Sequence, residues 1–180
     1  MPEMTLVGLC GSLRADSFNR KLMLEAARRF DGRFVEGDLR LPLYDQDLED
    51  RGMPQAVTRL AEQVRSADAV IIACPEYNKA PPGVLKNALD WLSRLKGWPM
   101  QDKPTAIVSA TGGRAGGERT QFILRQMLVP HRAVALTYPE VLVGGAANHF
   151  NDAGRLKTDS YIDKLDELMD RLQAQVSVPA

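Results

Sequence analysis

Short polar side chains and one arginine stand in the segment that follows the first apolar run of the chain. The run is Thr5–Cys10, and the segment, residues 11–19, reads GSLRADSFN. A turn that leaves a strand and enters a helix offers an anion free backbone N–H groups and the positive end of the helix dipole, about half a charge. The side chains that could add hydrogen bonds are Ser12, Arg14, Ser17 and Asn19. The segment predicts a phosphate-binding loop, unless Ser17 only caps the helix and Arg14 is a solvated surface charge.

Two further loops follow apolar runs. Residues 75–82, PEYNKAPP, combine the aromatic ring of Tyr77 with the amide of Asn78, which suits a flat heteroaromatic ring with polar edges. An ordinary strand-to-helix turn is the alternative. Residues 109–117, SATGGRAGG, are rich in glycine, which lets a backbone approach a planar ligand closely. A glycine pair alone most often marks a flexible turn, but three such loops at one sheet edge predict a ligand site.

The amino-acid composition limits the classes of partner that the protein is expected to bind. The 23 Lys and Arg residues balance 23 Asp and Glu residues in 180, so the net charge gives no electrostatic reason for binding nucleic acid or an anionic membrane. No apolar run approaches the roughly 18 residues of a membrane span, and the start, MPEM, lacks the basic flank of a signal peptide. We therefore expect a cytoplasmic protein that acts on a small molecule.

The sequence gives no support for a metal site, for reactive cysteines or for two common nucleotide-binding motifs. Cys10, Cys74, His131 and His149 lie far apart, so we expect no metal, and both cysteines are interpreted as small buried hydrophobic residues. No P-loop motif is present. The dinucleotide fingerprint Gly-x-Gly-x-x-Gly is also missing, because Cys10 stands where its second glycine would be. Without those glycines, the acids at positions 36 and 38 are read as loop charges.

Strand and helix signals alternate along the chain. The predicted strands are Thr5–Cys10, Arg33–Gly37, residues 69–74, residues 105–109, and a fifth region over 134–137 and Val141–Val143. The predicted helices have inner faces at Phe18, Leu22, Ala26 and Phe30; at Val57, Leu60, Ala61 and Val64; at Leu85, Ala88, Leu89, Leu92 and Leu95; over 121–128; and over 158–176. Residues 41–45 are predicted to be a loop and residues 177–180 a frayed tail.

This alternation predicts an α/β fold, a flavodoxin-like three-layer sandwich with a five-stranded parallel sheet in the order 2-1-3-4-5. Residues 1–180 are expected to form one domain, since about 100–200 residues is the usual size. Ligands of open α/β sheets bind beyond the carboxyl ends of the strands. The three loops above would meet there.

The three segments resemble the NAD(P)H-dependent FMN reductase family, which includes flavin, azo-dye, quinone and chromate reductases. The resemblance spans nearly the whole chain and is most specific over residues 75–94, PEYNKAPPGVLKNALDWLSR. It implies that Ser12, Arg14, Ser17 and Asn19 hold the FMN phosphate. It also implies that the isoalloxazine ring is bordered on one side by Pro75, Glu76, Tyr77 and Asn78 and on the other by Thr111, Gly112 and Gly113. The third loop departs from many relatives at Ala110-Thr111, where further serine or methionine is common.

The implied activity is hydride transfer from NADPH or NADH, through bound FMN, to small acceptors such as quinones, chromate, azo compounds or free flavin. No catalytic side chain is then required, because the flavin performs the chemistry. A flavodoxin-like electron carrier is the alternative, although carriers of that kind tend to be acidic. A receiver-type signalling domain fits poorly, since no acidic pair ends the first strand.

A homodimer or homotetramer is expected, partly because such a short chain has little of its own to wall off the ring. Apolar groups interpreted as part of that boundary, or else as buried under a loop, are Trp91, Trp98, Pro99 and Met100. Asn87, Asp90 and Trp91 are interpreted as architectural or interfacial.

Overall fold

The computed structural model describes residues 3–176, which form a parallel β-sheet with helices on both faces. Its strands are β1 (Thr5–Cys10), β2 (Arg33–Gly37), β3 (Ala69–Ala73), β4 (Pro104–Ala110), β5 (Val134–Ala135) and β6 (Val141–Val143). Its α-helices are α1 (Phe18–Ala27), α2 (Gln46–Asp50), α3 (Gln55–Ser66), α4 (Gly83–Ser93), α5 (Glu118–Leu128) and α6 (Asp159–Val176). Short 3₁₀ turns cover Val129–His131 and Ala146–Asn148.

The sheet order is β2-β1-β3-β4-β5, and β6 pairs with β4 beyond the end of β5. Every pairing is parallel, with Leu6 opposite Ala69 and Val70 opposite Thr105. The predicted flavodoxin-like order is therefore confirmed. Because all the strands run the same way, the ends of β1, β3 and β4 place their following loops at one edge.

Burial explains why the strands are continuous apolar runs. Every residue of β1 and β3 is buried, since helices cover both faces of the sheet. One face packs residues of α1 and α6, such as Leu22 and Leu165, and the other packs α3, α4 and α5. The strands that carry the ligand-binding loops are thus held from both sides.

The structure differs from the sequence prediction at several element ends. The predicted fifth strand is two short strands, because Pro139 lies between them and has no N–H to donate to a ladder. Helix α2 follows directly after the predicted loop at 41–45, and its first turn is capped by the carboxylate of Asp45. Phe30 and Leu95 pack on the core beyond the ends of α1 and α4. The predicted frayed tail, residues 177–180, lies outside the described residues.

No helix in the described range 3–176 is long and apolar enough to cross a membrane. Within the same range, no three His, Cys, Asp or Glu side chains are grouped so that they could hold a metal ion.

A buried carboxylate joins α1 to the segment before α6. The Glu25 side chain is 2% exposed and forms ion pairs with Arg28 at 2.6 Å, with Arg29 at 3.2 Å and with Arg155. Arg29 also pairs with Asp166 of α6. A buried charge is tolerated when it is paired and hydrogen-bonded, and three arginines meet that condition here.

We expect Glu25→Gln to lower the free energy of unfolding by about 3 kcal/mol, because it removes the charge that the three arginines share. This is the lower end of the range for a broken buried pair, since Arg28 and Arg155 are half exposed and can be resolvated. Urea unfolding followed by circular dichroism measures the change. The matched control is Glu167→Gln, whose exposed pair with Arg171 should contribute about 0.5 kcal/mol or less. Equal losses in the two variants would contradict this account of Glu25.

Candidate functional site

The loops after β1, β3 and β4 enclose a cavity of about 150 Å³ at the carboxyl edge of the sheet. We call it the three-loop cavity. Its lining comprises Ser12, Arg14, Ser17, Phe18, Asn19, Pro75, Glu76, Tyr77, Ala110, Thr111 and Gly112. Nine of the eleven residues proposed from the sequence are in this set. Asn78 and Gly113 are on the same loops but do not line the cavity.

The first loop presents hydrogen-bond donors around the start of α1. Ser17 is the N-cap residue of α1, and its Oγ accepts a hydrogen bond from the Arg20 N–H at 3.3 Å. The first N–H groups of a helix have no partner inside the helix, and Ser17 satisfies only one of them. Ser12 accepts the Arg14 N–H at 3.4 Å. The Ser12 hydroxyl hydrogen therefore remains available to an anion, whereas the Ser17 hydroxyl also makes a hydrogen bond with the Cys10 thiol.

Arg14 is exposed at the mouth of the cavity. Among residues 3–176 its guanidinium has no hydrogen-bond or ion-pair partner, in contrast to Arg20, which is paired with Glu36. An unpaired guanidinium beside a helix N-terminus is well suited to a phosphate group.

The Asn19 side chain makes hydrogen bonds within the protein that the sequence did not predict. Its side chain is buried, and its amide makes two hydrogen bonds with Ala110: Nδ2 donates to the carbonyl at 2.7 Å, and Oδ1 accepts the N–H at 3.0 Å. Asn19 thereby joins α1 to the end of β4. A direct contact between Asn19 and the phosphate stays a prediction. The structure adds the two hydrogen bonds by which Asn19 joins the first loop region to the end of β4.

The second loop contains a tight two-residue turn. Tyr77 and Ala80 exchange backbone hydrogen bonds of 3.0 and 3.1 Å, and both residues between them have positive φ, 51° for Asn78 and 69° for Lys79. This is the arrangement of a type I′ hairpin turn, and asparagine tolerates it well. The turn leaves the Tyr77 ring 48% exposed, with its hydroxyl 3.4 Å from Ser12 Oγ.

Glu76 and its neighbours attach the second loop to α5. The Glu76 carboxylate accepts the Thr120 N–H at 3.3 Å, in the first turn of α5, where a negative charge is favourable. The Thr120 hydroxyl lies 3.3 Å from the Pro75 carbonyl oxygen and 3.1 Å from Cys74 Sγ. The carboxylate is therefore already engaged by a helix and is a positioned acceptor in the cavity wall.

The backbone of the third loop packs closely against the backbone at the end of β6. Gly116 has a φ of 64°, and a Cβ there would lie 2.5 Å from the Leu142 carbonyl group. A Cβ on Gly144 would lie 2.4 Å from the Arg114 carbonyl oxygen. By contrast, nothing lies within 4 Å of the place where a Cβ on Gly112 would be. Close packing thus requires Gly116 and Gly144, whereas Gly112 leaves the cavity edge open.

Sequence reasoning missed Phe18 and Ala110 as lining residues. Phe18 had been assigned to the inner stripe of α1, where it does stack on Phe150 with ring centroids 5.5 Å apart. Ala110 ends β4, and its alanine side chain carries no chemical signal. Their only sequence signal was position, since each borders one of the predicted loops.

Both cysteines lie beside this edge and are buried, as expected. Burial raises the pKa of the Cys74 thiol to about 12, and burial also raises the pKa of the Cys10 thiol. Both thiols are therefore protonated at neutral pH, which disfavours a nucleophilic role because the thiolate is the reactive form.

The residues interpreted as a subunit boundary need correction. Trp91 is fully buried, and its Nε1–H donates to the Pro42 carbonyl at 2.8 Å. Asn87 donates to the same carbonyl at 2.9 Å, so both side chains hold the preceding loop to α4 and are architectural. Pro99 and Met100 are buried as well, and only Trp98 is partly exposed. Of the two interpretations, burial is therefore confirmed for Trp91, Pro99 and Met100, and the boundary interpretation is wrong for them, because the subunit's own core covers them.

The lining of the three-loop cavity carries the groups that the FMN implied by the sequence resemblance requires, and its volume of about 150 Å³ would enclose only part of that ligand. One end offers the free Arg14 guanidinium, two serine hydroxyls and the first turn of α1, as a phosphate requires. The other end offers the Tyr77 ring and an open glycine backbone, as a flat ring requires. A parallel sheet in this order, with such loops at its carboxyl edge, defines a flavodoxin-like FMN-binding protein.

Comparison with known proteins gives the family. Residues 4–148 match the model for NADPH-dependent FMN reductases, and the chain belongs to that family. It is 41% identical over 177 residues to an NAD(P)H-dependent FMN reductase of Pseudomonas aeruginosa, a match covering 97% of this chain and 96% of the relative. It is 40% identical over 179 residues to a quinone reductase of Escherichia coli, covering 96% and 93%. The solved flavoenzyme FerB of Paracoccus denitrificans, an NAD(P)H:(acceptor) oxidoreductase, is 30% identical with a TM-score of 0.87, covering 96% of this chain and 97% of FerB.

Proposed function

We propose that this protein is an NAD(P)H-dependent FMN oxidoreductase that reduces small acceptors, with quinones as the first class to test and free flavin, azo compounds and chromate as further ones. The observation that carries the proposal is the three-loop cavity, with an arginine that has no partner among residues 3–176 at one end and an exposed aromatic ring at the other. Membership of the FMN reductase family supports the same conclusion. We further propose that residues 1–180 act as a single FMN-binding domain.

Bound FMN supplies a group that takes a hydride from NAD(P)H and passes electrons to an acceptor. The protein's own residues bind and orient it. Arg14 would offset part of the phosphate charge, Ser12 and Ser17 would add hydrogen bonds to the phosphate, and the backbone of the second and third loops would border the ring. The Glu76 carboxylate accepts the Thr120 N–H, which holds it in the cavity wall, where it would lie near the ring. The exposed side of Tyr77 leaves room for the nucleotide and the acceptor to bind in turn.

The function is tested on the purified protein in two measurements. Heat denaturation should release FMN in a ratio of about one per chain, and stoichiometric FAD would contradict the proposed cofactor. Steady-state oxidation of NADPH and NADH should then be followed with a panel of quinones, flavin, azo dyes and chromate. A flavin that neither nucleotide reduces would instead identify an electron carrier like flavodoxin.

Arg14→Ala should weaken FMN binding about ten- to hundredfold, because a charge-assisted hydrogen bond to phosphate contributes about 1.5–3 kcal/mol. The measurement is fluorescence titration of the apoprotein with FMN. Arg33→Ala is a suitable control, since Arg33 is an exposed arginine at the amino end of β2, on the opposite edge of the sheet. An unchanged dissociation constant for Arg14→Ala would mean that Arg14 is only a surface charge.

We also propose a homodimer or homotetramer that operates in the cytoplasm. The support is that the Tyr77 side of the cavity is open and that symmetric dimers are the commonest oligomers. The two free thiols suit a reducing compartment. Light scattering at micromolar concentration should give at least twice the 19.9 kDa chain mass. A fully active species of monomer mass would remove the oligomer from the proposal.

A further inference from the structure

Two fully buried polar side chains, those of Ser109 and Gln121, lie behind the third loop. Ser109 is near the end of β4, and Gln121 is near the start of α5, so they stand on either side of the loop along the chain. Neither side chain lines the three-loop cavity. Both nevertheless bond to the loop that does.

Hydrogen bonds run from Gln121 through Ser109 into the third loop. Gln121 Nε2 donates to Ser109 Oγ at 2.9 Å, and Ser109 Oγ donates to the Gly116 carbonyl at 2.6 Å. The Gly116 N–H donates in turn to the Gly113 carbonyl at 3.3 Å. Gly113 directly follows Gly112, a lining residue of the cavity. Three hydrogen bonds therefore connect the Gln121 amide to the part of the loop that borders the cavity.

The second N–H of the same amide bonds to β6. Gln121 Nε2 also donates to the Val141 carbonyl at 3.0 Å. The next residue of β6, Leu142, is the one whose carbonyl group leaves no room for a Cβ on Gly116, and a Cβ on Gly117 would lie 2.8 Å from the Ser109 side chain. One amide thus bonds to β4 and to β6, the two strands against which the third loop packs.

An apolar side chain would be the usual occupant of position 121. Gln121 shares one stripe of α5 with Leu124 and Leu128, which are buried hydrophobic residues. In the described part of the chain, 3–176, Gln121 Oε1 is the one buried side-chain oxygen or nitrogen without a hydrogen-bond partner. A buried acceptor left without a partner is unfavourable. Packing alone would therefore favour methionine or leucine, and what the amide provides instead is its two N–H donors.

We propose that Gln121, acting through Ser109, is a positioning residue that fixes the backbone of residues 111–113 where the edge of the flavin ring would bind. The proposal rests on the proposed function, since it assigns residues that shape the cofactor site of that enzyme. Its effect is confined to the ring end of the cavity, because the phosphate end is built from the first loop and α1.

The first test compares FMN with riboflavin, which has the same ring and lacks the phosphate. In fluorescence titrations of the apoprotein, Gln121→Met should weaken the binding of both ligands by the same factor, about three- to tenfold, as expected for one or two neutral hydrogen bonds. Arg14→Ala should weaken FMN binding and leave riboflavin binding unchanged. The matched control is Gln126→Met, which replaces an exposed glutamine of the same helix and should alter neither affinity.

The ratio of the two dissociation constants separates positioning of the ring from a general disturbance of the fold. A disturbed fold would also lose the phosphate contacts, so the preference for FMN over riboflavin would fall. Positioning by Gln121 leaves that preference as it is in the wild type. Unchanged affinities in Gln121→Met, or a lowered preference for FMN, would overturn the proposal.

The second test uses Ser109→Ala, which removes the hydroxyl and little volume and should reproduce the equal loss for both ligands. The double variant, Ser109→Ala with Gln121→Met, should lose less than the product of the two single losses, because both residues act through the same hydrogen bonds. Losses that multiply in full would overturn the assignment of the Gln121 effect to Ser109. If circular dichroism shows that Gln121→Met does not fold, Ser109→Ala decides the proposal by the same ratio.

Failure of the proposed function gives a different result. A wild-type protein that binds FMN but oxidises neither NADPH nor NADH would contradict only the proposed function, because both tests measure binding. A wild-type protein that binds no flavin would contradict both proposals.

Discussion

The pair of hydrogen bonds between the Asn19 amide and the Ala110 backbone is the interaction on which the cofactor site depends. It joins two residues 91 positions apart and is buried from solvent. A buried hydrogen bond of this kind is costly to lose, because both backbone groups would be left without a partner. The amide therefore fixes the separation of the first and third loops, and with it the width of the cavity between them.

Other contacts between elements also hold the three loops in place. Glu76 attaches the second loop to α5, and Gly116 with Gly144 lets the third loop lie against the end of β6. Trp91 and Asn87 hold the loop before α2 by donating to the Pro42 carbonyl, and Asn87 also accepts the Tyr44 N–H. The site is thus positioned by contacts of the loops with helices and strand ends, while the sheet sets only which loops meet.

Much of this could be predicted from the sequence, since buried parallel strands read as unbroken apolar runs and helices as periodic ones. The strand order and the three loops followed from that pattern. What could not be predicted were partners distant along the chain. Nothing near Asn19 indicates that it bonds Ala110, and the motif containing Trp91 does not tell whether its indole faces a partner or the subunit's own core. The acid at position 36 was interpreted as a simple loop charge, whereas Glu36 lies in β2 and is paired with Arg20, a partner 16 positions away.

Arg14 lines both the three-loop cavity and a larger cavity beyond the carboxyl ends of β1 and β2. A single guanidinium that borders both spaces gives up part of its hydration to whichever anion binds first, and the second anion then meets a charge already partly neutralised. The two binding equilibria are therefore linked. Linkage is reciprocal, so the factor by which an anion in one space changes the affinity for an anion in the other space is the same in both directions.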